Sequence, residues 1–159
     1  MLNLSLLCVG KLKEKEYTAL QNEYCKRLRR FCRCELSQIE EQRLPSRPSE
    51  AQIRAALQKE GESIAAKIPK GAYTIALCVE GNQMESTEFS KKLEDIALTT
   101  DKLCFIVGGS FGLDAQLKKA AQLQLSFSNM TFPHHLFRIM LLEQIYRAFT
   151  IQAGTEYHK

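Results

Sequence analysis

No stretch of the sequence reaches the roughly 18 consecutive apolar residues that a membrane-spanning helix needs. Met1 to Val9 is apolar but has neither a basic leader nor a small-residue cleavage site. It therefore reads as a strand rather than a secretory signal, and the protein is expected in the cytoplasm. Zinc-ligand spacing is missing as well. Cys32 and Cys34 stand one residue apart with no His nearby, so no metal is expected. With no secretion signal, the six cysteines (Cys8, Cys25, Cys32, Cys34, Cys78, Cys104) are expected as reduced thiols. Neither GxGxxG nor a glycine loop followed by Lys-Ser/Thr occurs, which removes the dinucleotide and nucleoside-triphosphate folds. There are no repeats and no low-complexity segment.

What remains is a chain of 159 residues, read as one domain over 1–159. A chain of this size buries roughly 70% of its unfolded surface and needs no disulfide or metal to fold. Its net charge of +4 is unevenly placed. Between Lys11 and Arg33, eight basic residues face three acidic ones. A basic segment on an otherwise balanced chain fits a phosphate-backbone partner, or equally a solvated helix face.

Apolar runs of strand length alternate with helical periodicity. Strands are expected at Leu2–Val9, Cys34–Ile39 (near an edge), Tyr73–Val79, Leu103–Val107 and Leu123–Phe127. The first helix carries Tyr17, Leu20, Tyr24, Leu28 and Phe31 on one stripe. Ser49 with Gln52 resembles a capping box opening a second helix that stops at Pro69. Two more helices are expected at Ser86–Leu98 and Asp114–Ala121, and Pro133 opens a final one running to about Ile151. This alternation argues for an α/β fold with a mostly parallel sheet and helices on both faces. Ligands of such folds bind beyond the carboxyl ends of the strands.

Two strand ends stand out. GGSFGL, Gly108 to Leu113, lets backbone approach a ligand closely, take positive φ and expose N–H groups, or is simply a tight turn. SFSNMTFPHH, Ser126 to His135, mixes Phe127, Met130 and Phe132 with small polar groups, which suits a flat heterocycle, or fills a core gap. The final helix bears Arg138, Glu143, Tyr146 and Arg147 on a wide apolar background, which suggests a second subunit. Tyr157, His158 and Lys159 form a tail whose default is to fray.

Gly108-Gly109-x-x-Gly112-Leu113, LSFSNMTFPH, Arg138 and EQxYRAxxIxxGxxYHK together resemble the SPOUT-class methyltransferases. Within that class the chain is similar to the family that methylates N3 of a pseudouridine in large-subunit ribosomal RNA. The resemblance implies a trefoil knot at the C-terminal end, S-adenosylmethionine as cofactor, ribosomal RNA or the ribosome as partner, and a homodimer. It puts the cofactor on Leu77, Gly108, Phe127, Ser128, Asn129, Met130, Thr131 and Phe132. Asn82 departs from the family pattern, where a basic residue is usual, and Phe111 is bulkier than expected. The candidates for the chemistry are His134, Arg138, Tyr157 and His158, with Arg138 either holding a phosphate or paired with Glu143. Positioning alone can also suffice, without a general base. Two rivals are a non-catalytic ribosome-binding factor and a hydrolase built on His134 and His135, the latter lacking a Ser or acid at a suitable spacing.

Overall fold

A computed structural model of the protein describes residues 1–158, the side chain of His158 excepted. The chain runs β1 (Leu2–Val9), α1 (Lys15–Leu28), β2 (Cys32–Ile39), α2 (Glu50–Ala65), β3 (Tyr73–Asn82), α3 (Ser86–Ala97), β4 (Lys102–Val107), α4 (Ala115–Ala120), β5 (Leu123–Leu125), α5 (His134–Gln152) and a short 3-10 turn at Glu156–His158. All neighbouring strands are parallel, in the order β2-β1-β4-β3-β5. The expected edge strand β2 does lie at an edge. The order itself, with β4 inserted between β1 and β3, follows from no local signal.

Alternate residues of the strands feed two cores. Leu4, Leu6, Cys8, Ile75, Leu77, Phe105 and Val107 face α1, α3 and α5. Leu7, Val9, Ala76, Cys104 and Ile106 face Ile64 of α2 and Leu117 of α4. Both faces are covered, so the central strand β4 is buried from Leu103 to Val107, whereas the edge strand β2 alternates with exposed polar residues. Local chemistry places the helices. Ser49 and Gln52 close a reciprocal capping box at the start of α2, and Asp114 accepts from the Leu117 N–H at the start of α4.

Three expectations need correction. β3 runs on past Val79 to Asn82, with an irregularity in its register to β5 between Leu77 and Asn82. β5 ends at Leu125 rather than Phe127, because Phe127 turns out of the sheet to pack on Phe137 with ring centroids 4.8 Å apart. Leu20, assigned to the buried stripe of α1, is 45% exposed.

The width of α5 has an intramolecular explanation. It lies between α1 and α3 and buries Ile139, Leu141, Leu142, Ile145, Ala148 and Phe149 within its own chain. Each large side chain so buried contributes about 1.5–3 kcal/mol. The breadth of its apolar surface is therefore not itself a sign of a second subunit. Among the described residues, no helix is long and apolar enough to cross a membrane, and no group of three His, Cys, Asp or Glu could hold a metal ion. The six cysteines are unpaired thiols.

Candidate functional site

The carboxyl ends of β3, β4 and β5 enclose a cavity of about 410 Å³. Leu77 lines it from β3, Gly108 from the turn after β4, and Phe127, Ser128, Met130, Thr131 and Phe132 from the loop after β5. Seven of the eight residues expected around a cofactor thus meet at one cavity. The eighth, Asn129, is not in its lining. Its Oδ1 accepts from Gln83 Nε2 at 3.0 Å and braces the loop from behind. The loop is also held by the Ser126 N–H on Asn82 O at 3.0 Å and by Met130 N–H on Ser128 Oγ at 3.0 Å.

The glycine turn works differently from its expected form. Gly112 has positive φ (+83°), whereas Gly108 and Gly109 do not. A Cβ on Gly108 would lie 2.6 Å from the carbonyl carbon of Gly112, so the missing side chain makes room for the turn's own backbone. The turn closes through the Gly112 N–H on the Gly109 carbonyl at 3.1 Å. An added side chain at Gly108 would therefore break the wall itself, and would not merely intrude on a ligand.

Several lining residues carried no sequence signal, among them Cys78, Glu80, Lys118 and Phe137. Lys118 of α4 pairs with Glu80. The cation at this wall is therefore on α4, paired with Glu80. Burial pushes the Cys78 thiol up, so it stays protonated.

At the opposite rim, His134 opens α5 and lines the same cavity. Its ring meets that of His135 edge-on, with centroids 4.2 Å apart, and His135 Nδ1 lies 2.9 Å from Glu14 Oε2. Burial, then the neighbouring His135, lowers the pKa of His134 below its ordinary 6.5. Its imidazole is neutral at pH 7 and can accept a proton.

Arg138 lies one turn further along α5, 1% exposed. Its Nη2 donates to the Gly10 carbonyl at 3.0 Å, while Nε and Nη1 have no partner among the described residues. The alternative pairing with Glu143 does not form, because Glu143 Oε1 accepts from Arg147 Nη2 at 2.6 Å. Within this chain Arg138 steadies the end of β1 and is shielded from any solvent phosphate.

Tyr157 is docked rather than frayed. Its ring meets Tyr146 at 4.9 Å between centroids, Arg147 lies 5.1 Å over it, and its hydroxyl is 3.4 Å from Glu143 Oε1. Burial first, then a hydrogen bond with Tyr24, pushes its pKa up to about 12. It keeps its proton at neutral pH and is no base there. It does not line the 410 Å³ cavity. The side chain of His158, and Lys159, lie outside the described residues.

Comparison with known proteins shows the family. Residues 2–158 match a family model described as "Predicted SPOUT methyltransferase". "Ribosomal RNA large subunit methyltransferase H" of Leuconostoc mesenteroides is 48% identical over 159 residues, covering 99% of this chain and all of that protein. Its namesakes in Clostridium kluyveri and Streptococcus thermophilus are 43% and 46% identical over the same span. A solved methyltransferase from Legionella pneumophila with SAM bound shares the fold at TM-score 0.52 and 11% identity, over 93% of this chain and 66% of that one. A methylase-family protein from Haemophilus influenzae does so at TM-score 0.52 and 12% identity, over 98% of this chain and 68% of that one.

Proposed function

The chain belongs to the SPOUT methyltransferase family, and we propose that it methylates large-subunit ribosomal RNA in the cytoplasm, on N3 of a pseudouridine, using S-adenosylmethionine. The observation that carries this reading is the convergence of Leu77, Gly108 and the 127–132 loop on one cavity. Its volume is within the roughly 300–1,000 Å³ of small-molecule sites, and its walls combine apolar side chains with backbone polar groups. These features fit the cofactor. When bound, it supplies an electrophilic methyl group on a sulfonium.

The protein's own contribution is positional. Phe127, Met130 and Phe132 offer apolar surface to a heterocycle, and the backbone of Gly108 permits close approach. Holding the acceptor nitrogen in line with the methyl carbon can supply several kcal/mol of the barrier. N3 must also give up its proton, and neutral His134 at the cavity rim is the acceptor this reading favours. Arg138 positions the Gly10 end of β1 beside it. Tyr157 acts from outside this cavity, which is consistent with a tail that serves a second copy's site, and the role proposed for His158 goes with that tail.

The reading includes a homodimer and a knotted C-terminal segment. A second cavity of about 460 Å³, beside Tyr24, Phe132 and Met140, shares the 126–128 segment with the first. Phe132, which lines both cavities, is 38% exposed, and Met130 of the same loop is 74% exposed. Such apolar exposure suits a contact between two copies. Sedimentation giving only an 18.1 kDa species at low micromolar concentration would remove the dimer.

The test of function has two parts. Calorimetry is expected to show one S-adenosylmethionine bound per chain. Incubation of cofactor and protein with ribosomes from a strain lacking the modification, followed by mass mapping of nucleosides, is expected to reveal a methylated pseudouridine. Binding without any methylated nucleoside would favour the non-catalytic ribosome-binding factor.

A further inference from the structure

A third recess, of about 770 Å³, lies over the carboxyl ends of β1 and β2. It shares Phe111 and His134 with the cofactor cavity, so the two spaces are separated by a single layer of side chains. Lys11, Lys13 and Arg43 stand exposed in its lining. None of the three enters an ion pair among the described residues. Cations without carboxylate partners are what contacts to a phosphate backbone require. Phe111, at 49% exposure, presents an aromatic ring at the shared wall, as stacking platforms for bases do.

Glu41 supplies the remaining feature. Its Oε1 is held by Ser110, 3.4 Å from the hydroxyl and 3.5 Å from the backbone nitrogen, which ties the loop after β2 to the glycine turn. Its Oε2 lies 3.5 Å from the point where a Cβ on Gly10 would stand, and His134 Nε2 lies 3.5 Å from the same point. Glu41 Oε2 and His134 Nε2 therefore both approach one point beside the shared wall, with His135 Nε2 next at 3.8 Å. The loop is fixed from below by the buried Glu60, whose Oε2 accepts from the Gln42 N–H at 2.9 Å. Glu60 is thus occupied in holding the loop, while Glu41 faces that point.

We propose that this recess seats the acceptor nucleotide, with the base stacked on Phe111, its imide N–H turned to Glu41 and His134, and its flanking phosphates on Lys11, Lys13 and Arg43. The inference rests on the methyltransferase reading and adds to it the place and chemistry of the acceptor. A uracil-type imide needs a hydrogen-bond acceptor opposite its N–H, and Glu41, whose Oε2 faces the Gly10 position beside His134, provides one. The separation of duties also accounts for the mixed charge of the recess, with cations for phosphates at the rim and the carboxylate for the base beside the cofactor cavity.

The test uses the full chain, S-adenosylmethionine, and ribosomes lacking the modification. The double variant Lys11→Ala/Arg43→Ala is expected to raise KM for ribosomes at least about tenfold while leaving kcat within about threefold, the pattern of lost phosphate contacts. Phe111→Ala is expected to raise KM by roughly tenfold, the scale of one lost stacking contact, and Phe111→Tyr to restore it. Glu41→Gln is expected to lower kcat with little change in KM. S-adenosylmethionine affinity stays constant in all of these, and Lys91→Ala on α3 serves as a remote control. Unchanged KM in both the double variant and Phe111→Ala, with cofactor binding intact, would overturn the recess as the acceptor site. Failure of the unmodified protein to bind the cofactor would instead overturn the methyltransferase reading, and the recess with it.

Discussion

The Arg138 guanidinium donates to the Gly10 carbonyl at 3.0 Å, joining the opening turns of the last helix to the end of the first strand. The bond crosses 128 residues of sequence and sits beside His134, which approaches the same Gly10. Two of the guanidinium nitrogens are buried without partners among the described residues, so Arg138 is a costly way to gain stability. Arg138→Met keeps the volume and removes those orphaned donors. It is expected to change the melting temperature by only a few degrees while lowering methyl transfer at least about tenfold, because a displaced Gly10 and His134 cost positioning. Equal losses in stability and turnover would make Arg138 a packing residue only.

Gly108 tests the wall of the cofactor cavity. Since its Cβ would collide with the Gly112 backbone, Gly108→Ala is expected to open the turn, reduce S-adenosylmethionine affinity at least about a hundredfold and lower the melting temperature. Gly112→Ala meets nothing within 4 Å but forces a side chain onto φ +83°, at a cost of about 1 kcal/mol. Calorimetry and thermal melts on the two variants separate these effects. Normal cofactor affinity in folded Gly108→Ala would remove this turn from the site.

His134 gives a pH signature. Its folded pKa lies below the ordinary 6.5 because burial disfavours the imidazolium. The neutral ring is therefore fully present above about pH 6.5 and is lost as pH falls through the lowered folded value. Its linked contribution to stability follows the same direction. Methyl transfer is expected to hold steady from pH 8 to 7 and to fall only on the acid side, below pH 6.5. His134→Gln is expected to turn over more slowly and to flatten that acid limb. An acid limb that persists in the variant would assign it to another group.

The helical and strand segments around the site were legible because each buried run is long enough to announce itself. The Tyr73 and Leu103 runs lie inside a sheet covered on both faces, and Ser49 with Gln52 states the start of α2 in local chemistry. Phe127 was misread because an apolar residue after a strand gives no hint whether it continues the strand or turns to meet Phe137. The motif after β5 located one wall of the 410 Å³ cavity, but Glu41 lies in a loop without periodicity or motif, and the strand and helix that carry Cys78 and Lys118 gave no sign that these two side chains reach the cavity. They join the site only through the order in which strands pair, and that order is a property of the whole sheet.

Tyr157 calls for a changed expectation. A frayed end could be removed at no cost, but Tyr157 packs on Tyr146 and Arg147. Truncation after Glu156 is expected to cost about 1 kcal/mol of stability, the scale of one lost aromatic contact. Cofactor binding is expected to survive, with methyl transfer reduced at least about a hundredfold as positioning groups are lost. Near-normal turnover would leave the tail a purely structural clasp.

The basic segment divides on inspection. Arg27 is engaged with Glu23 at 2.8 Å and lies over the rings of Tyr24 and Tyr146, whereas Lys26, Arg29 and Arg30 are exposed and enter no ion pair among the described residues. Arg29→Glu/Arg30→Glu is expected to weaken ribosome binding and to flatten its dependence on salt by roughly two units of log–log slope. The same measurement on Arg27→Glu reports lost packing as well as charge. An unaltered slope in the double variant would make this a solvated face.

The position of α5 governs how the molecule can be made. Leu141, Leu142 and Ile145 complete the larger core, yet every strand and helix they rest on is synthesised before them. While translation proceeds, β1, β3 and β4 can pair, but one face of that young sheet is covered only by α1 and α3. The apolar space between those two helices stays open to water, to chaperones or to other nascent chains until α5 arrives. Native structure is therefore gained in one late step, and a ribosome stalled before Phe149 holds a protease-sensitive chain.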